Sequence, residues 1–398
     1  MPPGAVDLYM TMLFAYQGMG NLVTLTKPGD PNTVYYNALI DFGSTSYYEC
    51  DETVSFVGNY LTKGGTTNAV LDMVVISHKD NDHWSLFGRL LEYLNHIGKS
   101  LVIKKLIFGG YYGTYSKNKN GENIIDVLYK CVPNPTGAGN YVYYAAEGSA
   151  YAAASKYAEL DNYGGVQFMP VAVNVVASVS KSKHDIIVNT QSLVVAILYL
   201  TESMLLPGDA TADTIEYINT LLKGGTANAI KLPQMLSVPH HGALRTIASN
   251  YLAKDPDLDI AEEFAKAIHA DNVGASAGFA THHHPDETVL SLFRKYSITR
   301  PRDHDYVSYF RSEAKWKVTT TDDGVFTTYL TVGSDGKALG AEKRRVLFRI
   351  LADGTFKIAL LPVNQAGLLQ MMQRPINIAT FPPKEILRKF VATPRIVP

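Results

Sequence analysis

Apolar and polar positions in the first hundred residues fall into short alternating runs and one helical stripe. Leu8–Tyr16, Asn21–Thr26 and Tyr35–Asp41 carry the β-branched and aromatic residues of strands, the first two joined at Gly18–Gly20. Asp51–Leu61 reads as a helix that stops before Gly64–Gly65. Val70–Ile76 (VLDMVVI) is apolar almost throughout, the composition of a strand covered on both faces. Leu86, Leu90 and Leu94, with Phe87 and Leu91 beside them, then recur at the spacing of one helix face. Leu101–Phe108 returns to a strand pattern, so Val70–Phe108 reads as strand, polar connection, helix, strand.

That rhythm breaks over about 109–165, where many of the 25 tyrosines alternate with polar loops and a small-residue helix is predicted near Ala145–Leu160. The segment reads as an insertion forming a lid or rim. Regular strands resume at Val166–Val176, Ser192–Leu200 and Ser203–Leu206. The helix Asp213–Leu222 gathers Ile215, Ile218, Leu221 and Leu222 on one side. A strand ending at Val238, a helix around Ala261–Ala270, a short strand at Asn272–Ala275 and a helix from Glu287 to Tyr296 follow. Trp316–Thr319 and Gly324–Val332 read as a closing hairpin around Asp322–Gly324. Arg344–Ile350 and Thr355–Leu361 predict a second hairpin, followed by a proline-containing tail. The chain carries no internal repeat and no low-complexity tract.

Composition narrows the function classes. At 398 residues and 46% hydrophobic, the chain has ample material for a large core. Lys+Arg is 36 against Asp+Glu 37, so bulk charge gives no push toward nucleic acid or an anionic membrane. Basic residues cluster locally at Lys104–Lys105, Lys117–Lys119 and Lys343–Arg345. With only Cys50 and Cys131, the chain is neither a disulfide scaffold nor a Cys-rich zinc module. The N-terminus lacks the basic and apolar regions of a signal peptide, and no apolar run approaches the roughly 18 residues of a membrane span. A cytoplasmic protein with no membrane attachment is the expectation.

The sharpest chemical signal is His78-Lys79-Asp80-Asn81-Asp82-His83, placed where a buried strand ends and a helix begins. Four ligand-type side chains in six residues, held between rigid elements, can converge on a small volume. Neutral imidazole and carboxylate are the usual ligands of first-row metals. The competing reading is a polar loop that caps the helix with Asp82, but a cap needs one such residue, not four. Leu205–Asp209 ends another strand with an Asp after Gly208, where helix capping is the bland alternative. Met235–Gly242 ends a third with His240 and His241 adjacent; two buried histidines there would each need a partner. Thr281–Pro285 opens a helix with His282, His283 and His284, which a solvated loop would also explain.

Taken in order, Asp41, the His78–His83 cluster, Gly208–Asp209 and the His-His-Gly segment resemble the metallo-β-lactamase superfamily. Within it the chain is most similar to the soluble metallohydrolase domain of ComEC-type competence proteins. Tyr16–Gly20 is a loose match; Asn189–Val195, Leu205–Ala210, Val238–Ala243, the HHHPDETV helix start and VTTTDDGVF are closer, spanning about residues 8–332. The family's membrane channel has no counterpart here. The resemblance implies an α/β fold, a four-layer αββα sandwich with the Tyr-rich segment inserted. It places a hydrolase domain at residues 1–335, with the insertion at about 109–165, and a β-hairpin extension and tail at 336–398.

For the site, the resemblance implies two divalent ions, zinc or manganese. His78 and Asp80 would serve the first, Asp82 and His83 the second, with Asp209 bridging. His240 or His241 would complete the second site; His240 is favoured, leaving His241 to face the substrate. Asp41 would orient the metal loop, and His284 would contact a phosphate or donate a proton. Two departures stand out. Asp80 occupies the position where the commonest superfamily pattern has a second histidine, and the histidine expected before the bridging Asp has no match better than His184. Oxygen-rich ligation of the first ion favours manganese or magnesium over zinc.

Two ions about 3.5–4 Å apart would yield a metal-bound hydroxide at neutral pH, with Asp82 orienting it. The resemblance favours cleavage of a phosphodiester, small or within a nucleic acid; no G-x-S-x-G nucleophile segment is present. Hydrolysis of an ester, lactone or β-lactam is the alternative, and a non-catalytic binding protein on the same fold is a further one. No protein partner is read from the Tyr-rich segment.

Overall fold

A computed structural model describes residues 4–117, 121–133, 141–144, 151–152, 160–178, 184–250, 255–276, 282–297, 304–329, 343–362 and 376–381. Its first strands, β1 (Asp7–Met12), β2 (Gly20–Lys27) and β3 (Asp30–Phe42), form an antiparallel meander. The next, β4 (Asn68–Ile76), β5 (Ser100–Phe108) and β6 (Tyr141–Tyr144), add in parallel. Parallel neighbours need crossovers, and helices α1 (Asp51–Leu61) and α2 (Ser85–His96) supply the first two. A short α3 (Ile124–Tyr129) follows β5, its N-terminus closed by a reciprocal capping box between Asn123 and Asp126.

The second half builds another sheet. Strands β7 (Tyr151–Ala152), β8 (Asp161–Tyr163), β9 (Val166–Val173), β10 (Val194–Tyr199) and β11 (Glu202–Leu206) pair antiparallel. β12 (Met235–Ser237) and β13 (Val273–Ala275) continue in parallel. Helices α4 (His184–Thr190), α5 (Ala212–Lys223), α6 (Leu244–Ile247), α7 (Asp259–Ile268) and α8 (Glu287–Arg294) lie between or after these strands. A two-stranded ribbon of β14 (His304–Phe310) and β15 (Lys315–Thr321) precedes β16 (Val325–Thr327), which joins the sheet beside β13. Finally β17 (Arg344–Ile350), β18 (Phe356–Pro362) and β19 (Ile376–Phe381) return to the first sheet, β17 pairing with β1.

Strand alternation sorts the core into three slabs. Leu8, Met10 and Met12 of β1 point between the sheets, where they meet Val195 and Ile197 of β10 and Val346, Phe348 and Ile350 of β17. On the outer face of the first sheet, Leu39, Val74 and Leu347 pack against Val57, Leu86, Phe87 and Leu90 of α1 and α2. Outside the second sheet, Val194, Ala196 and Leu205 meet Ile215 and Ile218 of α5, Phe264 of α7 and Leu290 of α8. The layer order is therefore helix, sheet, sheet, helix: the expected α/β four-layer sandwich. No described helix is long and apolar enough to cross a membrane.

Three local expectations need correction. Trp316–Thr319 and Gly324–Val332 do not form a hairpin with each other. β15 pairs with β14, a strand whose polar residues His304, Asp305 and Ser308 hid its buried Tyr306 and Val307. Parallel pairing with β13 instead buries Val325 and Phe326, which a two-stranded ribbon would leave wet. The helix expected near Ala145–Leu160 falls largely outside the described residues, but Tyr151–Ala152 within it is a strand on β9. Ile376–Phe381, assigned to the tail, is a strand on β18.

Phe348 is fully buried at the centre of the inter-sheet slab, its ring 5.8 Å from Phe326 and 6.3 Å from Phe356. Phe348→Ala is expected to cost about 3–5 kcal/mol, the range for emptying an aromatic core position. Guanidinium unfolding measures this; a loss below about 1 kcal/mol would show that the 344–362 strands are not part of the cooperative core.

Candidate metal centre

The chain ends of β3, β4, β11 and β12 converge at one rim. Asp41, the penultimate residue of β3, adopts a left-handed φ of 55°. Its Oδ1 accepts from the Ser77 backbone N–H at 2.7 Å, and its Oδ2 lies 2.9 Å from His83 Nδ1. The Ser77 hydroxyl sits 3.0 Å from His78 Nδ1 and 3.1 Å from His83 Nδ1. A 3-10 turn over Asn81–His83 leads into α2. Gly43 makes this crossing possible: a Cβ there would lie 2.3 Å from the Trp84 nitrogen and 2.4 Å from the Asp82 carbonyl carbon.

After β11 the chain turns at Gly208, whose φ is 56° and whose added Cβ would sit 2.8 Å from Ser77 Cβ. Asp209 is thereby carried against the His78–His83 loop, its N–H donating to Ser192 Oγ at 3.2 Å. After β12, His240 and His241 both take positive φ, 46° and 53°, and the His240 N–H donates to the Gly208 carbonyl at 3.0 Å. Consecutive left-handed residues send the two imidazoles apart, with ring centroids 6.0 Å from each other. His241 is fully buried and its Nδ1–H donates to the Ser276 carbonyl at 2.8 Å.

Asp209 is the hub. Its Oδ1 lies 3.0 Å from His83 Nε2 and 3.5 Å from His241 Nε2, while Asp82 Oδ2 is 3.5 Å from the same His241 nitrogen. One ligand atom from each of Asp82, His83, Asp209 and His241 lies within 4.8 Å of all the others. The other oxygen, Oδ2, faces His78 Nε2 at 3.8 Å and His240 Nε2 at 3.4 Å, and Asp80 Oδ2 is 3.6 Å from His78 Nε2. His78 Nε2, His83 Nε2, His241 Nε2 and Asp209 Oδ1 are buried without an aligned hydrogen bond among the described residues. Buried polar atoms are nearly always paired. Four such atoms pointing inward, one carboxylate oxygen among three imidazole nitrogens, are the kind of donor set a divalent ion needs.

The electrostatics agree. Burial pushes the His83 imidazolium down, yet Asp209 and Asp41 outweigh it and hold its pKa well above the usual value. Burial likewise opposes His241, which Asp209 and Asp82 raise. Burial raises Asp209, but His240, His83 and His241 keep it well below the carboxylate range. Burial also raises Asp82, but His241 beside it and the charge of His83 bring it down to about 2. A field that retains protons on imidazoles is one that favours a cation there.

All six residues expected as ligands, His78, Asp80, Asp82, His83, Asp209 and His240, face this rim. The two adjacent histidines stand differently from the expectation: His241, not His240, lies beside Asp82 and His83. His284 is near, its ring 5.8 Å from His240, and His282 is 5.9 Å from His284. His283 turns away to stack on Tyr309 at 4.1 Å. The backbone of His184 starts α4, and its side chain lies outside the described residues. Sequence reasoning gave no role to Ser77, Ser192 and Ser276, which contact His78, His83, Asp209 and His241, or to Asn189, which contacts His240. Asn189 entered only within the Asn189–Val195 motif match, Ser192 there and at the start of a strand, and Ser77 only as the residue before the His78–His83 cluster.

No protein-family model matches this chain, and no curated protein does. Among solved structures it is similar to the metallo-beta-lactamase fold protein YhfI from Bacillus subtilis, at 13% identity and a TM-score of 0.39, covering 73% of this chain and 93% of that one. It is also similar to the short form of human tRNase Z, at 13% identity and a TM-score of 0.36, covering 68% and 92%. A diphosphatase from the PhnP family gives 12% identity and a TM-score of 0.31, covering 69% and 89%.

Asp41→Ala removes the acceptor that orients His83, and divalent-metal affinity is expected to fall about 10–100-fold, as for other outer partners of metal ligands. Competition with a chromogenic chelator measures it; unchanged affinity would refute the role. A second expectation concerns the metal-free chain. The raised His83 and His241 contribute stability that is complete below about pH 6.5 and is lost as pH rises through their folded values. The depressed Asp82 and Asp209 contribute above about pH 4 and lose it as pH falls through theirs. With chelator present, the unfolding midpoint should fall above about pH 6.5 as His83 and His241 lose their protons. It should fall again on the acid side as the lowered His240 and His284, then Asp82 and Asp209, gain theirs. Added divalent metal should restore it above about pH 6.5. A midpoint that keeps rising toward pH 8 without metal would contradict this.

Proposed function

We propose that this chain is a metal-dependent hydrolase acting on phosphodiester bonds, a phosphodiesterase or nuclease that works with two divalent ions. Asp82, His83, Asp209 and His241 would hold one ion. His78, Asp80 and the second oxygen of Asp209 would hold the other, and this oxygen-rich set suits manganese. The observation that carries the reading is the buried group of ligand atoms within 4.8 Å of one another. Bound ions supply a hydrolytic nucleophile at neutral pH and offset the charge that develops on the substrate.

The chain's own residues prepare that chemistry. Asp41 accepts from His83 Nδ1–H and the Ser276 carbonyl from His241 Nδ1–H, so each ring turns an Nε2 lone pair inward. Among the described residues the rim offers no free side-chain nucleophile. The Ser77 hydroxyl is held between His78 and His83, and burial raises the Cys50 thiol to about 11, keeping it protonated beside Ser44. Beyond the ligands, His240, His284 and His282 form a row of imidazoles suited to an anionic substrate. The net charge of -1 favours a small phosphodiester or short nucleotide over long duplex DNA, whose binding needs many phosphate contacts. The motif order resembling ComEC-type metallohydrolases points to the same bond.

Manganese-loaded protein is expected to cleave bis(p-nitrophenyl) phosphate, and Asp209→Ala to lose both bound metal and at least about a thousandfold of kcat/KM. Hydrolysis of a lactone with the phosphodiester untouched would move the chain to ester chemistry. Failure of the purified chain to take up any divalent ion would refute the proposal as a whole.

A further inference from the structure

The adjacent histidines after β12 are held by opposite kinds of group. His241 Nδ1–H donates to a carbonyl, which leaves a lone pair on Nε2 facing Asp82 and Asp209. His240 Nδ1 instead lies 3.3 Å from the amide nitrogen of Asn189. An amide nitrogen donates and cannot accept, so Nδ1 is the acceptor and the neutral ring carries its proton on Nε2. That nitrogen faces Asp209 Oδ2 at 3.4 Å, and a protonated nitrogen has no lone pair for a cation. In this orientation Asn189 Oδ1 is buried without a hydrogen-bond partner among the described residues, and turning the amide over would leave its N–H donors there in its place, the costlier arrangement because an amide nitrogen cannot accept.

Two independent features agree. His240 is not among the four residues whose ligand atoms cluster within 4.8 Å. Its ring also turns toward His284, the two centroids 5.8 Å apart. The backbone at Asn189 is held in place, its carbonyl accepting from the Ser192 N–H at 3.0 Å. It is buried in the last turn of α4, where the neighbouring Thr190 bonds Thr211 Oγ1 at 2.7 Å and its carbonyl accepts from Thr214 at 3.1 Å.

We propose that His240 is not a metal ligand but a hydrogen-bond donor through Nε2 to an oxygen of the bound phosphodiester, and that Asn189 is the positioning residue that fixes this tautomer. The inference rests on the function proposed above and assigns the substrate-facing side of that same site. A fixed N–H aimed where negative charge grows is the kind of donor that raises turnover without binding the metal.

The test compares full-length wild type, His240→Ala, His241→Ala and Asn189→Leu, each loaded with manganese, desalted and assayed for bound metal and for bis(p-nitrophenyl) phosphate cleavage. His240→Ala is expected to keep the wild-type metal content while kcat falls about 100-fold or more, and His241→Ala to lose metal. Asn189→Leu should also keep its metal and lose about tenfold in kcat. The ring-15N spectrum of histidine-labelled protein should show His240 protonated at Nε2 in the wild type, a preference lost in Asn189→Leu. Loss of metal from His240→Ala, or a wild-type His240 protonated at Nδ1, overturns the inference while leaving the proposed hydrolase intact. A wild-type chain without metal refutes the hydrolase reading, and the nitrogen spectrum then still decides the tautomer.

Discussion

One buried carboxylate, Asp209, faces four imidazoles at 3.0–3.8 Å, with these groups carried there from the ends of β4, β11 and β12. Such a group is costly in a core unless its charge is matched. Here the match is incomplete: the inward nitrogens of His78, His83 and His241 and one Asp209 oxygen lack aligned partners among the described residues. Protons on His83 and His241 relieve part of that mismatch in the metal-free chain, which is why their affinities for protons rise. Divalent ions would relieve it more fully, exchanging those protons for a cation.

The sandwich holds the hub in place by bringing strand ends together rather than by local structure. β3 and β4 are parallel neighbours, so Asp41 at the end of one reaches Ser77 and His83 beyond the end of the other. β11 and β12 are parallel neighbours in the opposite sheet, which brings His240 to the Gly208 carbonyl. Packing between the sheets, with Met10, Val195 and Phe348 in one slab, sets the distance across which these ends meet. Glycine is required at Gly43 and Gly208, because a Cβ at either would overlap the Ser77–Trp84 segment.

Much of this was legible in the chain before any coordinates. Alternation and helical spacing located α1, α2, α5 and most strands, because burial on one face writes a period into the sequence. The His78–His83 cluster stood out because ligand-type residues were dense there. What stayed hidden depended on contacts between distant segments. β14 was masked by its own polar residues, and β16 was paired with the wrong neighbour because its proper one, β13, lies about fifty residues earlier. The different settings of His240 and His241 come from two consecutive left-handed residues and from Ser276 and Asn189, which no local pattern announces.

The central claim is that Asp82, His83, Asp209 and His241 share one divalent ion. Anomalous diffraction from crystals grown with manganese tests it directly. The expected result is an anomalous peak enclosed by those four side chains, within bonding reach of a nitrogen or oxygen of each. Electron density showing the four side chains bridged only by ordered water, with no anomalous peak at saturating manganese, would contradict it.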